Sequence, residues 1–153
     1  MSFPLEGGCD CKAVRYRMET KPLFVHCCHC RWCQRETGAS FALNAMIESD
    51  RLCVLAAKPE LVDTPSQSGM GQQIARCPKC RIALWSHYAG AGSLLSFVRV
   101  GTLDDPDRLP PGMPSVPEYY DREKCWSRES VERRKAFLPQ LEAYQAELKK
   151  QRG

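Results

Sequence analysis

The chain of 153 residues is 43% hydrophobic and 26% charged, with a formal charge of +4. This length supports one domain with its own core, and the longest apolar runs, such as residues 94–98, are far too short to span a bilayer. The positive excess lies mainly in residues 127–153, with seven basic and four acidic side chains, and the near-neutral remainder offers no strong field for nucleic acid.

In chain order, alternation over residues 13–18 predicts a half-buried strand, and residues 23–27 predict another. Residues 31–37 predict a short helical turn that stops at Gly38. Further strands are predicted over 40–47, 52–56, 61–64 and 72–76. Segments 82–88 and 94–100 read as a hairpin joined through the glycine-containing loop 89–92. After residues 101–106 the chain is proline-rich as far as Pro117. That stretch is expected to run extended over the surface, because proline fixes φ and lacks a donor, with 116–120 returning as an edge strand. From Ser130 onward the chain favours helix, and Pro139 is expected to divide that helix or to start its main part. Leu141, Tyr144 and Leu148 then share one face, which predicts a helix docked on the domain. A homo-oligomer contact through that helix is the alternative.

Seven of the ten cysteines fall into three clusters: Cys9 with Cys11, Cys28 with Cys30 and Cys33, and Cys77 with Cys80. The first residues show neither the charged region nor the apolar region of a secretory signal. A reducing, cytoplasmic setting is therefore expected, in which such spacings signal metal or catalysis rather than disulfides. Cys77-Pro78-Lys79-Cys80 has the form of a zinc knuckle, a tight turn that aims two sulfurs and several N–H groups at one point. Redox dithiols share that spacing, but they need a βαβ setting, and the pattern after Cys80 is a strand. On an ideal strand Cys9 and Cys11 would lie roughly 6.5 Å apart. That is too far for one ion, so a turn or bulge is expected, with Gly7-Gly8 supplying the freedom.

Four thiolates, Cys9, Cys11, Cys77 and Cys80, complete one tetrahedral structural zinc site. Cys28, Cys30 and Cys33 come from one short loop and leave a second zinc with an open position, as catalytic zinc requires. That position accepts water or a soft ligand such as a substrate thiolate, and the ion keeps a bound thiol deprotonated at neutral pH. Cys27, His26, His29, Cys53, His87 and Cys125 are the residues able to close it. His29 points away if its neighbours point inward, and so suits a supporting hydrogen bond. Two zinc ions with seven thiolates bring the net charge to about +1, which argues further against a nucleic-acid partner.

The ordered pieces are Gly8-Cys9-Asp10-Cys11 with Ala13-Val14-Arg15-Tyr16, Cys28-His29-Cys30-x-x-Cys33, Arg35-x-Thr37-Gly38, Cys77-x-x-Cys80, residues 101–106, and Lys124-x-Trp126. In these the chain resembles the glutathione-dependent formaldehyde-activating enzyme family, which also includes centromere protein V. The resemblance implies a mainly β fold of coiled sheets built around zinc sites, similar to the zinc-binding Rab exchange factor homologues, to which this chain adds a C-terminal helix. The matched region suggests a zinc-binding β domain over residues 1–126, with a charged helical tail, 127–153, packed on it. The resemblance also implies the same allocation of ligands: Cys9, Cys11, Cys77 and Cys80 structural, and Cys28, Cys30 and Cys33 at the catalytic zinc. The implied activity is that of a carbon–sulfur lyase handling the adduct of glutathione, or a related thiol, with formaldehyde or another small aldehyde.

Two departures from the family pattern are visible. Arg81-Ile82 stand where the family carries Gly-Ser, which implies a strained knuckle or a different turn and a guanidinium near the structural thiolates. Residues 115–120 lack the histidine common before the last tryptophan. Arg31, Arg35 and Arg99 are candidates for the glutathione carboxylates, with solvated surface charge as the plainer reading of each. Trp32 either walls the pocket or packs under the zinc loop. The rivals to an enzyme are a zinc-stabilised binding module and a thiol redox or metal-handling protein that uses Cys27.

Overall fold

The apolar alternation is realised as short antiparallel strands whose two faces bury different things. A computed structural model describes residues 3–109 and 128–152. Strands β1 (Leu5–Gly8), β2 (Arg15–Met18) and β5 (Leu52–Val54) form a three-stranded sheet. The second sheet has six strands, in the order β3 (Phe24–Cys28), β4 (Ala42–Glu48), β9 (Leu95–Arg99), β8 (Ala83–Tyr88), β7 (Gln72–Arg76) and β6 (Glu60–Thr64). Helix α1 (Arg31–Thr37) follows β3, and helix α2 (Arg128–Arg152) ends the described chain. The protein is thus mainly β, with two antiparallel sheets and a C-terminal helix.

Residues directly opposite on neighbouring strands share a face. Val25, Ala45, Val98, Trp85 and Ala75 form one such row across the large sheet. This row meets Leu5, Val14, Tyr16 and Met18 in the main core, where Tyr16 packs edge-on against Trp85 with ring centroids 5.7 Å apart. The opposite face carries a second row, Phe24, Met46, Phe97, Ser86 and Ile74. Helix α2 lies over part of that face, and Phe137 and Leu141 pack with Leu23, Met46, Ala91 and Leu95. Arg133 anchors the helix: its guanidinium pairs with Glu48 and donates to the Lys21 carbonyl and to Thr20 Oγ1.

Three local features differ from expectation. Gly7 and Gly8 lie in β1, a strand the sequence pattern does not announce, instead of in a turn. They are needed for close approach: a Cβ at Gly7 would stand 2.6 Å from Tyr16 Oη, and one at Gly8 would meet the Val14 carbonyl. The turn itself falls at Lys12, with φ 59°. Helix α2 runs unbroken through Pro139, where the sequence predicts a break or a start. Pro139 and Lys135 are both exposed, so water can satisfy the Lys135 carbonyl that proline leaves without its helical donor. The residues expected to be extended from 110 onward, the 116–120 edge strand, Cys125 and Lys124-x-Trp126 lie outside the described residues.

Candidate metal centres and the cleft beside them

Two sulfur clusters form, with the membership the spacing predicts. Cys9, Cys11, Cys77 and Cys80 converge as one group and Cys28, Cys30 and Cys33 as another, all ligand atoms within each lying inside 4.8 Å of one another. Among the described cysteines none is in a disulfide.

The four-sulfur group is built from two related turns. Cys9 N–H donates to the Val14 carbonyl at 3.1 Å and Cys77 N–H to the Ile82 carbonyl at 3.0 Å. Lys12 N–H returns to the Cys9 carbonyl, and Arg81 N–H to the Cys77 carbonyl, each at 3.0 Å. Lys12 and Arg81, each directly after the second cysteine of its pair, adopt left-handed φ of 59° and 63°. That conformation costs a non-glycine residue about 1–2 kcal/mol, so the turns hold their shape against local preference. The Arg81 guanidinium, expected near the thiolates, is instead paired with Glu60.

Cys9 and Cys11 sulfurs lie 3.5 Å apart, and Cys11 and Cys77 sulfurs 3.6 Å apart. Sulfurs on one tetrahedral zinc stand about 3.8 Å apart, given Zn–S bonds of about 2.3 Å, so the set fits that ion. Burial opposes ionisation of Cys77, but N–H groups of Cys80 and Lys79 and the Cys9 and Cys11 thiols outweigh it and pull the thiol down to about 6.

The three-sulfur group sits where β3 runs into α1. Phe24, His26 and Cys28 alternate along β3 and so share the face opposite the main core. Cys30 is the N-cap of α1, its Sγ accepting the Cys33 N–H at 3.3 Å, and Cys33 lies buried one turn in. Thr37 Oγ1 donates to the Cys33 carbonyl, and Gly38, at φ 67°, closes the helix. Cys28 and Cys30 sulfurs are 3.5 Å apart, again a spacing that suits zinc. Hydrogen bonds from Cys33 and His26 pull Cys28 down to about 3, against the effect of burial. Cys33 is pushed the other way by the proton it shares with Cys28, by burial and by the neighbouring negative charge. Three sulfurs this close cannot all be thiolates without a cation, and a divalent ion replaces the shared protons.

No fourth His, Cys, Asp or Glu joins this group among the described residues. Cys27 and His29 face each other instead, Sγ to Nε2 at 3.4 Å, with the His29 ring against Phe41. Cys53 lies on β5 opposite Arg17, and His87 Nδ1 is bonded to the Leu95 carbonyl at 2.9 Å.

Beside the three sulfurs opens a cleft of about 690 Å³, within the usual range for small-molecule sites. Phe24, His26, Phe97 and Tyr88 form a continuous aromatic row along it. Burial, and then the negative charge on Cys33, hold the Tyr88 phenol protonated well above its usual range. Trp32 lines the cleft, whereas Arg31 and Arg35 are exposed and absent from its lining. Arg99 is buried and not a solvated surface charge, bonded to Asn44 and, at 3.2 Å, to Ser86 Oγ. Tyr88 escapes sequence reasoning as a partner of the cluster, because only the pairing of β3 and β8 through β4 and β9 brings it there. His26, one of the residues considered able to close the site, stands two residues before Cys28 on the same face of β3.

A model of the family described as glutathione-dependent formaldehyde-activating enzyme matches residues 4–121, most of the chain. The chain belongs to that family. A Halomonas elongata protein, named provisionally as a glutathione-dependent formaldehyde-activating enzyme, is 32% identical over 85 residues, 53% of this chain and 54% of that protein. The chain thus spans about half the length of this curated relative. A crystal structure of a Rhodobacter sphaeroides protein matches with a TM-score of 0.51 at 20% identity, covering 65% of this chain and 88% of that one, a likeness of fold. In this family member two of the ordered motifs hold each other: Tyr16 Oη bonds Thr102 Oγ1 at 2.7 Å, and Arg15 grips the Asp104 carboxylate. Those pieces brace the β1–β2 corner.

Proposed function

We propose that this protein is a zinc-dependent enzyme of the carbon–sulfur lyase type, which joins a thiol to a small aldehyde or cleaves the adduct. The observation that carries this reading is the three-sulfur cluster of Cys28, Cys30 and Cys33, without a fourth ligating side chain among the described residues and opening onto a cleft. The family name supports glutathione and formaldehyde as the starting pair. Zinc is the metal of choice for both clusters, because thiolate-only sites at these spacings suit it.

Held by Cys28, Cys30 and Cys33, zinc would supply a position that takes up a thiol as its thiolate. The chain's own groups then set the rest. His26 lies against the Cys28 sulfur and Tyr88 against Cys33, so each tempers the charge of one thiolate. Trp32 and the aromatic row limit access of water from the cleft side. The substrate sulfur adds to the carbonyl carbon, forming the C–S bond, while the π pair moves to oxygen. That oxygen takes the proton that the thiol gave up, with Tyr88 the protonated neighbour best placed to relay it. Thiol and aldehyde thereby give an S-hydroxyalkyl adduct with nothing left over, and cleavage is the same path reversed.

The cytoplasmic setting and the likeness to the zinc-binding Rab exchange factor homologues belong to this same reading. The test is to follow free thiol and S-hydroxymethyl signals by NMR while zinc-loaded protein is mixed with a thiol and formaldehyde. Faster approach to equilibrium, lost in Cys30→Ser, is expected; an unchanged rate favours a zinc-stabilised binding module. Release of zinc with a Cys27 disulfide on mild oxidation would favour the redox alternative.

A further inference from the structure

The described lining of the cleft offers glutathione no charged partner. Among the described residues its lining contains no Asp, Glu, Lys or Arg, whereas glutathione carries two carboxylates and an ammonium group. Moving such charges into an unpaired apolar site is costly. Much of the wall beyond the sulfur cluster is hydrocarbon, with Phe24, Met46, Leu95 and Phe97 from the sheet faced by Leu138 and Leu141 of helix α2, while Ser66, Gln67, Ser68 and Gln145 add uncharged polar groups. That helix, Arg128–Arg152, lies beyond residues 4–121, the stretch that the family model matches. The apolar wall facing the sheet therefore lies outside the stretch that the family model matches.

Two cleft-lining residues, His26 and Gln72, each carry a buried polar atom without a hydrogen-bond partner among the described residues. Gln72 is 6% exposed and donates through Nε2 to the Pro65 carbonyl at 2.9 Å, which leaves its Oε1 buried without a partner. A buried acceptor left empty costs about 1–3 kcal/mol, and Gln72 lines the cleft. A ligand hydroxyl can satisfy it once the Gln72 side chain turns toward the cleft, because the atom is sealed from solvent as it stands.

Resting on the reading above, we infer that the thiol partner is uncharged, with an aromatic or branched aliphatic body that fills the space between the large sheet and α2. The hydroxyl created on adduct formation is the donor that Gln72 Oε1 lacks. Leu138 and Leu141 act as specificity residues, selecting the body of the thiol without touching the reacting atoms.

The test is calorimetric titration of the zinc-loaded full chain with benzyl mercaptan and with glutathione. Benzyl mercaptan is expected to bind about tenfold tighter or better, as burial of an aryl body predicts. Leu138→Lys should weaken benzyl mercaptan by about fivefold or more and leave glutathione equal or improved, since the change places a solvated cation on that wall. Glutathione binding as tightly as benzyl mercaptan to the unaltered chain overturns this inference and leaves the thiol reading standing. If neither thiol binds, the thiol reading itself falls, and this inference with it. The comparison on the unaltered chain is decisive even if Leu138→Lys loses its helix, which circular dichroism reports.

Discussion

Cys30 shows how one residue can serve both fold and site. Its sulfur caps α1 and also belongs to the three-sulfur cluster. Serine keeps an N-cap acceptor, so Cys30→Ser should preserve α1 and the domain's circular dichroism while removing about one of two zinc equivalents by elemental analysis. Cys77→Ser should behave differently. Cys77 is buried in the main core and ties the β7–β8 turn to the N-terminal one, so losing its metal should lower Tm by more than about 10 °C. Equal destabilisation by the two variants would contradict the division into structural and working sites. Asp104 offers a third test at this scale. The hydrogen bond from Arg15, reinforced by its charge, holds the carboxyl below its ordinary value of 3.8. Folding therefore gains from this pair above that value and loses the gain as pH falls through it. Because Asp104 is half exposed, the gain is at most about 1 kcal/mol. The stability difference between wild type and Asp104→Asn, followed by denaturant titration, should shrink as pH falls from about 5 to 3. The membership of the two sulfur clusters was legible in the sequence because spacing alone brings i, i+2 and i+3 thiols together in a turn. Tyr88 was not, because its nearness to the sulfurs depends on strand pairing.

At the scale of elements, alternation and turn residues located eight of the nine described strands, although β4, β8 and β9 have no exposed face. Strand β1 escaped because two of its four residues are Gly7 and Gly8, whose demand is for space beside Tyr16 and Val14. Helix α2 was legible as a helix, but its fastening was not. The Leu141 and Tyr144 stripe is visible in sequence, whereas the Arg133–Glu48 pair joins residues 85 positions apart. Glu48 is 8% exposed, so Arg133→Ala would leave its carboxylate with only the longer contact to Arg51 at 3.6 Å and should cost about 1–3 kcal/mol in denaturant unfolding. It should also reduce the helical circular dichroism signal, as α2 is released from the sheet. A variant with wild-type stability would show that Phe137 and Leu141 hold the helix without it.

For the whole molecule, two sheets enclose one core and leave the reverse face of the larger sheet for function. The sulfur cluster sits at one end of that face, and α2 covers the other. Sequence could supply the ligands and the helix separately. Their meeting across one cleft is a consequence of sheet order, in which β4 and β9 stand between β3 and β8. The proposed function requires the three-thiolate zinc to be open and to take a thiol. Zinc-edge X-ray absorption on the fully loaded chain tests it most directly. Four sulfurs at one ion, with three sulfurs and one lighter atom at the other, predict an average of about 3.5 sulfurs per zinc, rising to about 4 when benzyl mercaptan is added. An average of 4 before any thiol is added, or no rise afterwards, would contradict the account.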